Sequence, residues 1–392
     1  MTASGVVSAG ARASCDVLIV GAGIVGAACA DAFARGGARV RVLEAGRAAG
    51  RATAAGMGHI LVLDDSAAQL ALTKRSRDLW DARAAEWPKD VERDACGTLW
   101  IAADDEELQH ARSKAAWYAE RGIEAQPVDA AALARLEPNL RAGLAGGLCF
   151  PGDSVVYPPA AARALLRSAR AHGATLTEGA GAARIGDGWV VTEDGARHDA
   201  DVVVVAAGLA TPTLLEAALR PAHFALVPKK GHLAITERAP GFVRHQLVEL
   251  GYLKSAHGTD STSVAFNAQP RATGQVLLGS SRQLGETDPR VEREVLARMV
   301  RRALEYLPGL AGLPVVRAWV GFRPATLDNL PVIGPLPAAP RTWLATGHEG
   351  VGITTSLGTA ELLADRLFSR GPALDPRPFL PARFEREVHA HA

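Results

Sequence analysis

Apolar positions along the chain follow two periods, and their alternation predicts an α/β protein. Val17 to Val20 form a continuous apolar run ending at Gly21, which suits a strand buried on both faces of a parallel sheet. A helix follows it, then a second strand, VRVLE, that closes on Glu44. Residues 46–58 are small and glycine-rich, with too little bulk for a core, and read as a loop. Between Asp64 and Trp87, Leu70, Leu72, Leu79 and Trp80 recur at helical spacing. GTLWIAA (97–103) reads as a strand, Asp104, Asp105 and Glu107 as an acidic helix start, and Pro158-Pro159 as the first turn of another helix.

The sheet period returns over 174–206, where Asp194-Gly195 signals a hairpin and ADVVVVAAG a central strand. From about 222 to 322 the strands are longer and alternate, as in VPKKGHLAITE and GQVLLGSS, with one amphipathic helix near 289–306. Dinucleotide-type material therefore opens the chain, returns in its middle and closes it. The division expected is a discontinuous cofactor-binding unit of 14–90, 145–221 and 323–380, a substrate-binding unit of 91–144 and 222–322, and a flexible lead of 1–13.

Composition narrows the function classes. The 392 residues are 48% hydrophobic and 22% charged, and 43 Lys and Arg face 42 Asp and Glu for a formal charge of +1. That balance argues for a globular protein and against a nucleic-acid partner. No apolar stretch reaches transmembrane length, and the first dozen residues lack the core of a signal peptide, so the cytoplasm is the expected location. Cys15, Cys29, Cys96 and Cys149 form no C-x-x-C pair and no metal-ligand spacing; no metal is expected.

The candidate chemistry begins at DVLIVGAGIVGAACADAFARGGARVRVLE (16–44). Gly21 permits a tight turn, Gly23 lets the backbone approach a pyrophosphate, and Gly26 lets the helix pack on the strand. Ala22, Ile24 and Val25 complete a helix N-terminus that offers N–H groups to phosphates, and Glu44 is placed for a ribose. Four later blocks add to it. Thr53, Ala54, Ala55, Gly56 and Met57 lie in a loop small enough for backbone to meet a flat ring, with His59 just beyond; an ordinary flexible loop is the alternative. Ala206, Ala207 and Gly208 end the apolar strand where an open α/β sheet faces its ligand, although a plain tight turn has the same residues. In GFRPATLDNLPVIG (321–334) Arg323 could clamp a carboxylate in a bidentate manner. Gly347, His348, Gly350, Val351, Gly352, Ile353 and Thr354 form a second glycine turn opening a helix. His348 and Glu349 there invite an acid/base reading, beside the simpler one that the turn binds a flavin through its backbone.

Together these blocks resemble the FAD-dependent D-amino acid oxidase superfamily, which includes glycine oxidase, sarcosine oxidase and D-amino acid dehydrogenases. The resemblance runs from Asp16 to about Phe368, and GFRPATLDNLPVIG and ATGHEGVGIT carry it most specifically. AAGMGHILVLDDS, CGTLWIAADDEE and LEPNLRAGLAGGLCFPGDSVVYPP further resemble the flavoprotein subunit of bacterial D-hydroxyproline dehydrogenases. The resemblance implies a Rossmann-like FAD-binding domain of glutathione-reductase type, interleaved with an α+β substrate domain on a mostly antiparallel sheet. It implies that Arg323 grips the substrate carboxylate, that Tyr252 shares the task, and that Met57 and His59 line the cavity, where a structural role for His59 is an equal alternative. Some relatives attach the flavin to a cysteine near the C-terminal turn or to a histidine before the A-A-G. This chain has no cysteine beyond Cys149 and carries Thr53 and Ala54 in that region, so FAD is expected to be non-covalent.

The activity implied is oxidation of an amino or imino acid, D-hydroxyproline-like, by hydride transfer from Cα to flavin N5. Electrons would pass to a quinone or to partner subunits, through which the chain would reach the inner membrane. Two alternatives stay open: a glycine- or sarcosine-type oxidase using oxygen, and a non-catalytic flavin-binding subunit of a larger complex. A nicotinamide-dependent dehydrogenase leaves the later blocks unexplained.

Overall fold

The computed structural model describes residues 15–251 and 262–385, which build two eight-stranded sheets, a two-stranded sheet and the helices around them. The first sheet has the order Val332–Leu336, Ala339–Thr346, Arg197–Val205, Cys15–Val20, Val40–Glu44, Thr175–Glu178. From Ala339–Thr346 onward its strands are parallel, and Val17–Val20 lie at its centre, almost fully buried. Continuous apolar runs are required there because helices cover the sheet. Ile24–Arg35 packs between Pro158–Ala171 and Gly352–Leu367, and Phe33, Leu165 and Leu363 share one core with Val17 and Ile19. A hairpin of Ala182–Gly186 and Trp189–Thr192 pairs antiparallel with Arg197–Val205, and Asp194-Gly195, with Gly195 at φ +85°, joins Trp189–Thr192 to that strand.

The second sheet has the order Val315–Ala325, Val227–Arg238, Gln275–Leu284, Thr262–Pro270, Gln246–Glu249, Thr98–Ala102, Gly146–Phe150, Gln126–Asp129. Its pairings are antiparallel except that of Gln246–Glu249 with Thr98–Ala102. The amphipathic helix Arg293–Tyr306 covers one face, burying Met299 and Ala303 and stacking Tyr306 on Phe266 with ring centroids 4.5 Å apart. The other face confronts the first unit. The architecture is α/β, a Rossmann-like parallel sheet alternating along the chain with an α+β unit on a mostly antiparallel sheet.

Local chemistry sets the helix starts. Ser66 accepts from the Gln69 N–H to cap Ala67–Ala82, and Asp104 accepts from the Glu107 N–H to cap Asp105–Ala119. Two segments depart from the sequence pattern. Residues 46–58 are not wholly loop, since Arg51–Ala55 form a short helix that packs on the second sheet. Gly146–Phe150, expected with the first unit, pairs with Thr98–Ala102 and Gln126–Asp129 in the second sheet. Tyr252 lies outside the described residues.

Candidate active site

The turn after the first strand is built around missing side chains. Gly21 has φ +106°, and a methyl group there would lie 2.5 Å from the Ala206 carbonyl oxygen. A methyl on Gly26 would lie 2.0 Å from the Gly21 carbonyl oxygen, so the helix sits directly on the turn. Gly23 caps the helix without a side chain, and the Ile24 N–H donates to Thr53 Oγ1 at 3.0 Å, tying the turn to the second segment. Glu44 ends its strand beside this turn, accepting the Ala22 N–H at 2.7 Å and the Gly46 N–H at 2.9 Å. The carboxylate is thereby held in place with acceptor capacity remaining. Val25 is half-buried in the same first turn. On the neighbouring strand end, the Ala206 N–H donates to the Val20 carbonyl, Ala207 follows, and Gly208 at φ +56° accepts from Thr346 Oγ1 at 3.2 Å.

The second glycine turn joins both sheets. Gly347 and Gly350 have φ near +77° and +71°, and a methyl on Gly347 would sit 2.6 Å from Thr326 Cγ2. The Glu349 N–H donates to the Pro324 carbonyl at 3.1 Å, linking the turn to the strand that carries Arg323. Thr354 donates through Oγ1 to the His59 carbonyl at 2.8 Å, and Trp80 Nε1 donates to the Thr354 carbonyl at 3.1 Å. Gly56 meets Ile353 so closely that a methyl would stand 2.8 Å from Cδ1. The 53–59 and 347–354 segments are thus one wall. His348 is buried, shares a hydrogen bond of 3.0 Å between Nε2 and Thr359 Oγ1, and burial pushes its imidazole down to about 3. The imidazole is thereby held toward its neutral form.

Opposite this wall stands the face of the second sheet that Arg293–Tyr306 leaves uncovered. Lys229 pairs with Arg323 and Gly231 with Gly321, so each pair points to the same side. The Arg323 guanidinium lies over Gly231, where a methyl would meet Nη1 at 2.6 Å, and Nη1 donates to the Ser281 carbonyl at 3.2 Å. Gly321 gives room to Ala55, and Trp319 Nε1 donates to the Ala55 carbonyl at 3.4 Å. Met57 accepts through its carbonyl from Gln269 Nε2 at 3.0 Å, and its Sδ would be 2.9 Å from a methyl on Gly279. His59 Nε2 is shielded and has no hydrogen-bond partner among the described residues. Burial and the Arg323 charge push this imidazole down to about 3. Glu349, Lys229 and Arg282 complete the polar lining.

Arg323 lies close enough to His59 for its charge to act on the imidazole, and it approaches Gly350 of the second glycine turn, while Met57 packs on the same sheet at Gly279. Sequence reasoning missed Lys229, Gly231, Gln269 and Arg282. Lys229 and Gly231 were accessible through the period of two in VPKKGHLAITE, but only once the pairing with residues 321 and 323 is known. Among the described residues no His/Cys/Asp/Glu group could hold a metal ion, and no helix is long and apolar enough to cross a membrane.

The two glycine turns suit FAD. Gly21 and Gly26 let the turn close against Ala206 and the helix, Gly23 leaves the helix N-terminus without a side chain, a held carboxylate stands beside it, and the second turn supplies a wall of small residues. Comparison with known proteins agrees. The DAO family model, described as FAD dependent oxidoreductase, matches residues 16–366. A glycine oxidase of Pseudomonas aeruginosa is 31% identical over 383 residues, covering 93% of this chain and 98% of that protein. The hydrogen cyanide synthase subunit HcnC of the same organism is 27% identical, covering 96% and 98%. The crystal structure of glycine oxidase from Geobacillus kaustophilus superposes with a TM-score of 0.83 at 26% identity, over 96% of this chain and 99% of that one.

Proposed function

Because the chain belongs to the DAO family of FAD-dependent oxidoreductases, we propose that it oxidises an amino or imino acid whose carboxylate is held by Arg323. FAD would be held without a covalent bond by Gly21–Gly26 and Glu44 at its adenosine end, and by Thr53–Met57, Ala206–Gly208, Gly347, His348 and Gly350–Thr354 at its ring end. Bound there, FAD supplies a two-electron acceptor for the hydride leaving the substrate Cα.

The observation that carries the reading is the placement of Arg323. Its guanidinium rests on Gly231, is anchored by one bond to the Ser281 carbonyl, and faces the wall formed by 53–59 and 347–354. A planar fork in that position fixes both oxygens of a carboxylate, and so fixes the direction of Cα–H. Met57 and Trp319 supply apolar surface that keeps water from the reacting carbon. Burial and the Arg323 charge push His59 toward its neutral form, so it adds no further cation to Arg323, Lys229 and Arg282. A substrate amine that binds unprotonated needs no protein base for hydride loss.

Similarity to the glycine oxidases supports a small amino acid as substrate, while the D-hydroxyproline dehydrogenase motifs favour a cyclic imino acid and a non-oxygen acceptor. Similarity to a protein named as a synthase subunit supports partner subunits, to which the electrons would pass. Anaerobic mixing with a panel of D-, L- and N-substituted amino acids, D-hydroxyproline included, should bleach the yellow protein. Peroxide formed on admitting air separates an oxygen-using oxidase from a dehydrogenase. A yellow protein that none of these compounds reduces would refute the reading and favour a non-catalytic subunit.

A further inference from the structure

Glu349 reaches into the same space as Arg323 from the opposite wall. Its side chain is 14% exposed, and its Oε1 lies 3.7 Å from Lys229 Nζ and 3.9 Å from Arg282 Nη2. Both separations are too long for hydrogen bonds, and Oε1 is buried with no hydrogen-bond partner among the described residues. Burial works to raise the pKa of this carboxyl, yet Arg282, Lys229 and Arg323 outweigh it and hold the group below the usual range. The chain thus keeps a charged acceptor at the site, with two cations at ion-pair distance and no hydrogen bond made to Oε1. A buried ionised oxygen without a donor is costly. Lys229 Nζ is itself directed to Asn329 Oδ1 at 3.0 Å.

An α-amino acid supplies what is missing, since its nitrogen is one carbon from the carboxylate that Arg323 takes. We propose that Glu349 Oε1 accepts a hydrogen bond from the substrate's amino or imino nitrogen, making Arg323 and Glu349 a two-point receptor for the carboxylate and the nitrogen of an amino acid. The inference rests on the reading of Arg323 given above and adds the residue that tells an amino acid from a plain carboxylic acid. Glu349 is a binding group here, and its charge is neutralised by its surroundings without being used up in hydrogen bonds.

A matched pair of ligands tests it on the FAD-loaded enzyme. 2-Aminoisobutyrate and isobutyrate share a carbon skeleton and differ by the amine, and 2-aminoisobutyrate has no Cα hydrogen to lose. Their Kd values are read from the flavin absorbance of wild type, Glu349→Gln and Glu349→Met. Wild type should prefer 2-aminoisobutyrate. Glu349→Met should lose roughly tenfold or more in affinity for it, the scale of one charged hydrogen bond, while isobutyrate binds as well or better. Glu349→Gln keeps an acceptor oxygen and should lie between them, which guards against a misfolded Met variant.

A pH profile gives an independent readout. Lys229, Arg282, Arg323 and His59 are the titratable groups facing the nitrogen from the other strands. Removing the single negative charge among them should lower the pH at which a reducible amino acid bleaches the flavin half-maximally. Equal loss for both ligands, or an unchanged preference for 2-aminoisobutyrate, overturns the proposal. So does a variant whose flavin spectrum or FAD affinity changes while ligand discrimination does not, since the partner of Oε1 would then be the flavin. Wild type that binds both ligands equally refutes the role of Glu349 alone. Wild type that binds neither, and that no amino or imino acid reduces, refutes the amino-acid reading along with it.

Discussion

Replacing Gly231 by alanine tests the clamp without touching the arginine. Gly231 sits in a regular strand pairing opposite Gly321, so an alanine backbone is accommodated there. Its methyl group, however, would lie 2.6 Å from Arg323 Nη1 and 2.9 Å from both Cζ and Nη2. The guanidinium must lift by roughly 1 Å to reach an ordinary non-bonded separation. The group displaced is the end of a flexible side chain, so the folded state should lose no more than about 1 kcal/mol. The displacement acts on the atoms that aim the substrate, and a misplacement of about 1 Å costs on the order of 100-fold in rate. The bond from Nη1 to the Ser281 carbonyl, now 3.2 Å, should lengthen with it. Stopped-flow reduction under anaerobic conditions gives substrate Kd and the limiting rate separately, with FAD content and melting temperature as controls. The expected variant is yellow, melts within a few degrees of wild type and is reduced between 10- and 100-fold more slowly, on the order set by that displacement. Unchanged Kd and rate would mean that substrate does not rest on Arg323.

Arg323→Lys should keep FAD but weaken substrate by roughly 10- to 100-fold, because one of two charge-assisted hydrogen bonds is lost; the same titration measures it. Gly26→Ala should yield protein without FAD or insoluble protein, since its methyl would stand 2.0 Å from the Gly21 carbonyl oxygen, and a normal yellow preparation would contradict the packing. Glu44→Gln should raise the FAD Kd while leaving substrate reduction of the loaded enzyme near wild type, as judged by dilution and flavin fluorescence. His348 adds a pH dependence to stability. Its folded pKa of about 3 lies below the unfolded value of 6.5, so the unfolded chain takes up a proton first as pH falls. Stability from this group is complete above about pH 6.5 and declines as pH falls toward 3, by up to about 1.4 kcal/mol per pH unit. Thermal melts from pH 7.5 to 4.5 should show a shallower slope in His348→Gln.

The first glycine turn was legible because its determinants are local. Gly21, Gly23 and Gly26 each act on atoms within one turn or the adjoining strand, and Glu44 is fixed by N–H groups of Ala22 and Gly46. The 46–58 stretch was misread for the opposite reason. The Arg51–Ala55 helix has almost no apolar period, and it is stabilised by contact of Ala55 with Gly321, some 270 residues away. The Gly146–Phe150 strand likewise takes its place from partners at 98–102 and 126–129 rather than from its own residues.

The substrate face lies between these cases. Arg323 stood out because its surroundings form a recognisable motif, whereas Lys229 and Gly231 looked like ordinary strand residues. Their meaning comes from register. Had Lys229 paired one residue away from Arg323, it would face the helix side, as Lys230 does when it reaches Glu292. Gly231 would no longer lie under the guanidinium. Glu349 shows the same dependence at the opposite wall: beside His348 in a glycine turn it invites an acid/base reading, and the bond from its N–H to the Pro324 carbonyl brings it beside the strand of Arg323. Backbone pairing, more than residue identity, therefore brings these side chains together, as the proposed receptor requires. A register shift in Val227–Arg238 should abolish substrate recognition while sparing the cofactor turn, whose contacts lie in the other sheet.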